Sequence, residues 1–156
     1  MTSIKFDAAG NTITIAATYA GTVEQLWEMF ANPRKLEAWW GPPGWPATFS
    51  RHEFYPGGEA RYHMTGPGGE EAHGWWQFQA ISYPTLEFVD GFSDAEGVPD
   101  LSLPSNHTRV ELTESGGTAT LSMVSTFDSE ADLQRTLDMG MEEGISLALR
   151  QIEALL

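Results

Sequence analysis

The stretch between residues 47 and 127 constrains the fold most, because turn-forming residues divide it into short segments. Clusters of glycine, proline and serine recur along it, and the segments between them mix β-branched or aromatic residues with polar ones. This spacing is typical of consecutive antiparallel strands joined by turns. The sequence therefore predicts a meander of six strands, over 47–55, 59–65, 71–81, 85–92, 107–114 and 118–127.

The segment that follows the meander predicts one long helix. Residues 129–155 contain no proline, and apolar side chains recur there at intervals of three and four residues. An amphipathic helix of this length would run about 40 Å at 1.5 Å per residue. A curved sheet with one apolar face needs a cover, and this helix is long enough to supply it.

The N-terminal part predicts strands followed by two short helices. Alternating residues over 4–19 indicate a β-hairpin, or one strand with a bulge. Thr22 and Gln25 then form a capping-box pattern, and the Asn-Pro pair at 32–33 ends the first helix. A second helix is expected over residues 36–40, before a proline- and glycine-rich break.

Together these elements predict an α+β protein in which a curved antiparallel sheet wraps around a long C-terminal helix, with two short helices after the first strand. The 156 residues suit a single domain, 1–156. We leave open whether the protein is a monomer or a homodimer, because an exposed edge strand could pair two subunits.

The charge balance excludes several classes of partner. The chain has 22 acidic and 8 basic residues, for a net charge of -14. Such a surface repels nucleic acid and anionic lipid headgroups. The chain has no cysteine, so neither disulfides nor thiolate metal sites can form. No apolar stretch reaches the length of a membrane span, so we expect a cytoplasmic protein without membrane insertion.

Three sequence blocks carry a resemblance to a known family. They are AGTVEQLW at 20–27, NPRKLEAWWGP at 32–42 and YPGGEARYHM at 55–64. The chain resembles the START-like (SRPBCC) superfamily, and within it the branch of the heat-shock-protein-90 ATPase activator homologues. The resemblance implies a helix-grip fold with a hydrophobic cavity between the sheet and the C-terminal helix. It also implies ligands such as lipids, steroids or polyketides.

The chain also departs from its relatives in two respects. The eukaryotic activators use an additional N-terminal domain that this sequence does not include, so chaperone activation is not carried over. Relatives often have Gly-Trp in the terminal helix where this chain has Gly140 and Met141. A flexible thioether in place of a rigid indole changes the shape of a cavity, so no particular ligand of the family is carried over either.

The turn at 66–69 fixes which side chains share the apolar face. With the turn centred near residue 68, position 64 lies opposite 72, 62 opposite 74 and 60 opposite 76. Extending this face to the other strands and helices predicts the ligand contacts. They are Trp39, Trp40, Tyr62, Met64, Trp76, Phe78, Phe88, Asp90, Met123, Met141 and Ile145. The alternative is that these side chains fill a solid core, which periodicity alone favours.

Asp90 is the one acidic residue among these candidates. It lies between Phe88 and Phe92 on the expected inner face, where partial desolvation would raise its pKa. It could then orient a ligand hydroxyl or act as a base. A bulge before Gly91 could instead turn it outward.

A metal site is not predicted. His63 and His73 are expected to be cross-strand neighbours, but they lie on the face opposite Tyr62 and Trp76, and no third ligand accompanies them. No cofactor is predicted either.

The leading functional hypothesis is a non-catalytic binder of a small hydrophobic molecule, of lipid, polyketide or aromatic type. One alternative is an enzyme of cyclase or hydrolase type that uses Asp90 and Tyr62 for acid–base chemistry. Another is a stress-response module that contacts a chaperone through its acidic surface.

Overall fold

A computed structural model describes residues 2–156 and contains one antiparallel sheet of eight strands, in the order β1-β2-β8-β7-β6-β5-β4-β3. The meander predicted from residue 47 onward is confirmed, and the N-terminal alternation forms a hairpin. The strands are β1 (Ser3–Ala9), β2 (Thr12–Ala20), β3 (Ala47–His52), β4 (Glu59–Thr65), β5 (Glu71–Ser82), β6 (Thr85–Phe92), β7 (Asn106–Ser115) and β8 (Thr118–Phe127).

Two short helices, α1 (Val23–Ala31) and α2 (Pro33–Trp40), follow the hairpin as predicted. The capping box at the start of α1 is present. The backbone N–H of Gln25 donates to the Thr22 hydroxyl, and the Thr22 N–H donates to the Gln25 side chain. Asn32 ends α1 and caps α2, because its side chain accepts a hydrogen bond from the Arg34 N–H at 2.9 Å. Local sequence thus sets both helix starts.

The prediction of one uninterrupted helix over 129–155 is wrong. The segment forms α3 (Glu130–Asp138), α4 (Met141–Arg150) and a final turn of 3₁₀ helix (Gln151–Leu155). The break lies at Met139 and Gly140, where Gly140 has a φ of 87° in the left-handed region. A residue in that conformation cannot continue a right-handed helix, although the apolar spacing continues across it.

The core lies between the concave face of the sheet and the helices. The predicted register of β4 and β5 is confirmed, with Tyr62 opposite Gly74 and Ala60 opposite Trp76. The Tyr19 hydroxyl on β2 donates to the Leu149 carbonyl of α4 at 2.8 Å, in a buried position. This bond ties α4 to β2, which lies across the sheet from β4–β6.

The C-terminal turn is tied to the segment after α2. The Gln151 side chain donates to the carbonyls of Trp39 at 3.2 Å and Gly41 at 2.7 Å. None of the helices within residues 2–156 has the length and apolar composition needed to cross a membrane.

Candidate functional site

Two adjoining clefts lie between the sheet and the α3–α4 segment. The larger has a volume of about 250 Å³ and is bounded by β4, β6, the loop before β7 and the α3–α4 junction. The smaller has a volume of about 230 Å³ and lies between Trp40 and Pro42 on one side and Gly144 and Ile145 of α4 on the other. Asp90 and Met141 line both clefts.

The helix break creates part of the larger cleft. Met139, Gly140 and Met141 all line it, and no atom lies within 4 Å of the position that a Cβ at Gly140 would take. The glycine that ends α3 is therefore also part of one wall of the site.

Asp90 lies on β6, directly opposite Trp76 of β5, with its side chain turned inward. The bulge on this pair of strands lies between Phe78 and Ala80, well away from Gly91. The carboxyl is half-buried, because it opens into both clefts. Burial raises the pKa of Asp90 from its ordinary 3.8 to about 7, although nearby donors favour the charged form and oppose this rise. Asp90 can therefore exchange a proton near neutral pH.

Tyr62 is the polar neighbour of Asp90. Its hydroxyl donates to Oδ1 of Asp90 across a long 3.4 Å. A Cβ at Gly74, the cross-strand partner, would collide with the phenol ring, so only glycine lets this ring lie across β5. Burial and the adjacent Asp90 charge hold the pKa of Tyr62 well above its ordinary value. Tyr62 is therefore a proton donor in hydrogen bonds and stays protonated at neutral pH.

Two tryptophans complete the inner end of the site. The rings of Trp40 and Trp76 meet edge to face with centroids 4.8 Å apart, and Trp76 stacks on Phe88 at 4.2 Å. The indole Nε1 atoms of both tryptophans are buried, and that of Trp76 lies close enough to the Asp90 carboxyl to oppose the rise in the pKa of Asp90. Both N–H groups lie close enough to the Tyr62 hydroxyl to oppose the rise in its pKa. The polar atoms of these four side chains thus lie close together, and of the four it is Asp90 that lines both clefts.

Comparison with known proteins places this fold in a family. The sequence model of the family described as activator of Hsp90 ATPase homolog 1-like protein (AHSA1) matches residues 20–156. The chain belongs to this family. The match covers all the described helices and every strand from β3 onward, so the AHSA1-like segment includes both clefts. No curated protein matches the chain.

Solved structures agree with the AHSA1-like fold. The chain is similar to protein Ms6760 from Mycobacterium smegmatis, with 42% identity and a TM-score of 0.89 over 99% of this chain and 95% of that one. It is also similar to a protein from Arthrobacter aurescens, with 45% identity and a TM-score of 0.91 over 98% and 90% of the two chains. The AHSA1 protein from Silicibacter pomeroyi shares the fold at 22% identity, with a TM-score of 0.73 over 92% and 95%. The helix-grip fold is therefore confirmed.

The eleven residues predicted to contact a ligand fall into two groups in this AHSA1-like structure. Six of them line the clefts, namely Trp40, Tyr62, Met64, Asp90, Met141 and Ile145. The other five are packed in the core, namely Trp39, Trp76, Phe78, Phe88 and Met123. Of the Trp39 and Trp40 pair, Trp39 is the structural member, because its indole donates to the Met29 carbonyl at 2.9 Å.

Sequence reasoning missed one side of the larger cleft. Pro104 and Asn106 reach it from the loop before β7 and from the start of that strand, and Thr136 and Met139 reach it from the end of α3. The loop has no periodicity that could place Pro104. Gly140 was the available signal for the other two, because a glycine inside a helical pattern often ends a helix.

The two histidines predicted to be neighbours are paired across β4 and β5, with ring centroids 5.5 Å apart. His73 also contacts the Glu71 carboxylate at 3.0 Å. Within residues 2–156, no group of three His, Asp or Glu side chains is arranged to hold a metal ion.

Proposed function

We propose that this AHSA1-like protein binds a small apolar molecule in the two adjoining clefts. The proposal rests on one observation, which is that Asp90 and Met141 line both of them. Each cleft alone is smaller than the roughly 300 Å³ of typical ligand pockets. A ligand that passes Met141 can occupy both, since an unbranched thioether side chain adjusts readily to a guest.

The chemistry of the walls supports an apolar and uncharged ligand. The smaller cleft is bounded by Trp40, Pro42, Met64 and Ile145, and Asp90 is its only ionisable group. A net charge of -14 further disfavours an anionic guest. This is the type of ligand that the family resemblance implies.

Filling the smaller cleft tests the proposal. No atom lies within 4 Å of the Cβ position at Gly144, which lines this cleft on α4. Gly144→Leu should therefore place its side chain in the space that the ligand needs. Glu143→Leu is the matched control, because it adds the same side chain to α4 at an exposed position.

The assay is a fluorescence titration of delipidated protein with the neutral probe N-phenyl-1-naphthylamine. The unmodified chain and Glu143→Leu should bind the probe alike, and Gly144→Leu should bind it much more weakly. Native mass spectrometry of gently purified protein should also reveal a bound apolar molecule. An empty protein that shows no binding or thermal shift with the probe or with a broad lipid and polyketide panel would refute the proposal.

Acid–base catalysis is the second candidate function, and one observation favours it. Asp90 has a pKa of about 7 and opens into both clefts beside the Tyr62 hydroxyl, so it can accept or donate a proton at neutral pH. In that case Asp90→Asn should abolish turnover of a bound substrate while its binding survives. Turnover that persists in Asp90→Asn would exclude this role.

A further inference from the structure

The sheet has two outer edges, β1 and β3, and β3 is protected against pairing with a further strand. Its register shifts between Phe49 and Arg51, so a bulge interrupts the row of backbone groups along this strand. The Phe49 N–H donates to the Glu37 carboxylate at 2.7 Å, and the Phe49 carbonyl accepts from Arg34 at 3.4 Å. Side chains of α2 thus occupy backbone groups that another strand would need.

The edge at β1 has neither of these protections. β1 pairs with β2 residue for residue from Ser3 to Ala9, without a bulge and without proline. Among residues 2–156, none of the hydrogen bonds outside the pairing with β2 involves a residue of β1. The backbone groups on the outer side of β1 therefore have no partner in this part of the chain. Proteins usually protect such an edge, because it is a template for a further strand.

Two opposite charges lie on the face of β1 that points away from the core. Lys5 is paired with Ala16 of β2 and Asp7 with Thr14, so neither charge has a charged residue directly across the sheet. The ion pairs among residues 2–156 all join other side chains. Phe6 lies between the two charges in sequence and is only partly buried against the core. β1 therefore carries a lysine and an aspartate that are both available to an outside partner.

These side chains are complementary to a second copy of the same strand. When two copies of β1 run antiparallel and overlap along their full length, Ser3 of one lies opposite Ala9 of the other. In this register each Lys5 lies opposite an Asp7, and Phe6 lies opposite Phe6. A shift of two residues in either direction places Lys5 opposite Lys5, or Asp7 opposite Asp7. Charge and overlap therefore select the same register.

We propose that β1 pairs with β1 of a second copy of this chain, so that the two sheets join into one across a two-fold axis. The pairing satisfies the outer backbone groups of both strands and places Lys5 and Asp7 in two ion pairs. It also covers Phe6 on both copies. The proposal does not depend on ligand binding in the clefts. A strand of seven residues forms a small interface, so we expect a weak dimer with a Kd of about 10–100 µM.

The overall charge of the protein opposes this association, and salt reduces the opposition. Each copy carries a net charge of -14, so two copies repel each other at low ionic strength. At about 0.15 M salt, charges further apart than about 8 Å are largely screened, whereas Lys5 and Asp7 in direct contact still attract each other. In sedimentation equilibrium at this salt concentration, the mass should rise from 17.2 kDa towards twice that value as the protein concentration increases to about 400 µM. A mass that stays at 17.2 kDa refutes the proposal.

Charge reversal tests the register. Asp7→Lys reduces the net negative charge of each copy, yet it places lysine opposite lysine at two positions. It should weaken the dimer about tenfold, because two opposite-charge pairs become like-charge pairs. Lys5→Asp should weaken the dimer likewise, and the double variant Lys5→Asp/Asp7→Lys should restore it, because it exchanges the two charges.

The control is Glu143→Lys, which changes the net charge by the same amount at an exposed position on α4. This variant should not weaken the dimer. A dimer that Asp7→Lys leaves equally strong, or tightens, refutes this register.

Because the chain has no cysteine, cross-linking supplies an independent test. Ser3 and Ala9 of different copies lie directly opposite in this register, and such residues are close enough for a disulfide. Ser3→Cys and Ala9→Cys proteins should therefore form a disulfide when they are mixed and mildly oxidised, as detected by mass spectrometry of the linked peptides. Each variant alone should not, because identical positions lie about 20 Å apart at roughly 3.4 Å per residue. No disulfide in the mixture, or equal cross-linking of each variant alone, refutes the register.

Discussion

Replacing Asp90 by asparagine should remove a pH-dependent loss of stability. In the folded protein the pKa of Asp90 is about 7, whereas its ordinary value is 3.8. Between these two pH values the unfolded chain has an ionised Asp90 and the folded chain keeps the proton. The folded state therefore binds more protons, so raising the pH through this window lowers the free energy of unfolding. Asparagine cannot ionise, so Asp90→Asn should not show this decrease in the free energy of unfolding.

The magnitude follows from the interval between the two pKa values. An interval from 3.8 to about 7 corresponds to a loss of at most about 4 kcal/mol once Asp90 is fully ionised, and less where water in the clefts solvates the carboxylate. The protein has a pI near 4.4, so the measurement is best made from pH 5.5 upward, where solubility is higher. As the pH rises from 5.5 to 8, the free energy of unfolding of Asp90→Asn should increase by up to about 2 kcal/mol relative to that of the unmodified chain.

Urea unfolding followed by tryptophan fluorescence at several pH values measures this gain. Asp100→Asn is the control, because the hydroxyl and backbone N–H of Ser102 lower the pKa of Asp100, which therefore stays ionised throughout the window. The free energy of unfolding of Asp100→Asn should change with pH in the same way as that of the unmodified chain. If the free energy of unfolding of Asp90→Asn also changes with pH as that of the unmodified chain does, from pH 5.5 to 8, then Asp90 is not a desolvated carboxyl. The acid–base proposal then loses its basis.

Three further substitutions test the description of the helices, each by urea denaturation at pH 7. Tyr19→Phe should cost about 1–3 kcal/mol, because it leaves the buried Leu149 carbonyl without its donor; an unchanged midpoint would mean that this bond does not fix α4. Gly140→Ala should cost about 1–2 kcal/mol, because alanine is strained at a φ of 87°; a gain in stability would indicate a continuous helix. Gly144→Ala should stabilise α4 by about 0.5–1 kcal/mol, because its Cβ meets only open space; a loss would show that the cleft is already filled.

The sequence predicted the strands and their register well, because turns and alternation are local signals. The turn at 66–69 fixed the pairing of Tyr62 with Gly74, since hairpin register follows directly from the position of the turn. The prediction of one continuous helix was wrong at Gly140, because the apolar spacing on either side of this glycine fits such a helix. Gly140 was a signal for a helix end, but a glycine also occurs inside helices, and it is the backbone conformation, with its positive φ, that shows the break.

The candidate site was predicted in part, because alternation gives the face of a strand and not the depth of a side chain. Trp76 and Phe78 share the inner face with Tyr62, yet both are fully buried and only Tyr62 lines a cleft. What distinguishes them is the position of the helices above each point of the sheet. That position depends on contacts such as the one between Tyr19 and Leu149, which join parts of the chain far apart in sequence.

The pairing of β2 with β8 has a consequence for how the chain assembles. Thr12 lies opposite Thr126 and Ala20 opposite Thr118, whereas every other pair of neighbouring strands is also consecutive along the chain. During synthesis the N-terminal hairpin therefore leaves the ribosome early, and β2 cannot pair with β8 until this last strand has emerged. Because closing a long loop costs chain entropy, this single pairing is expected to set the folding rate.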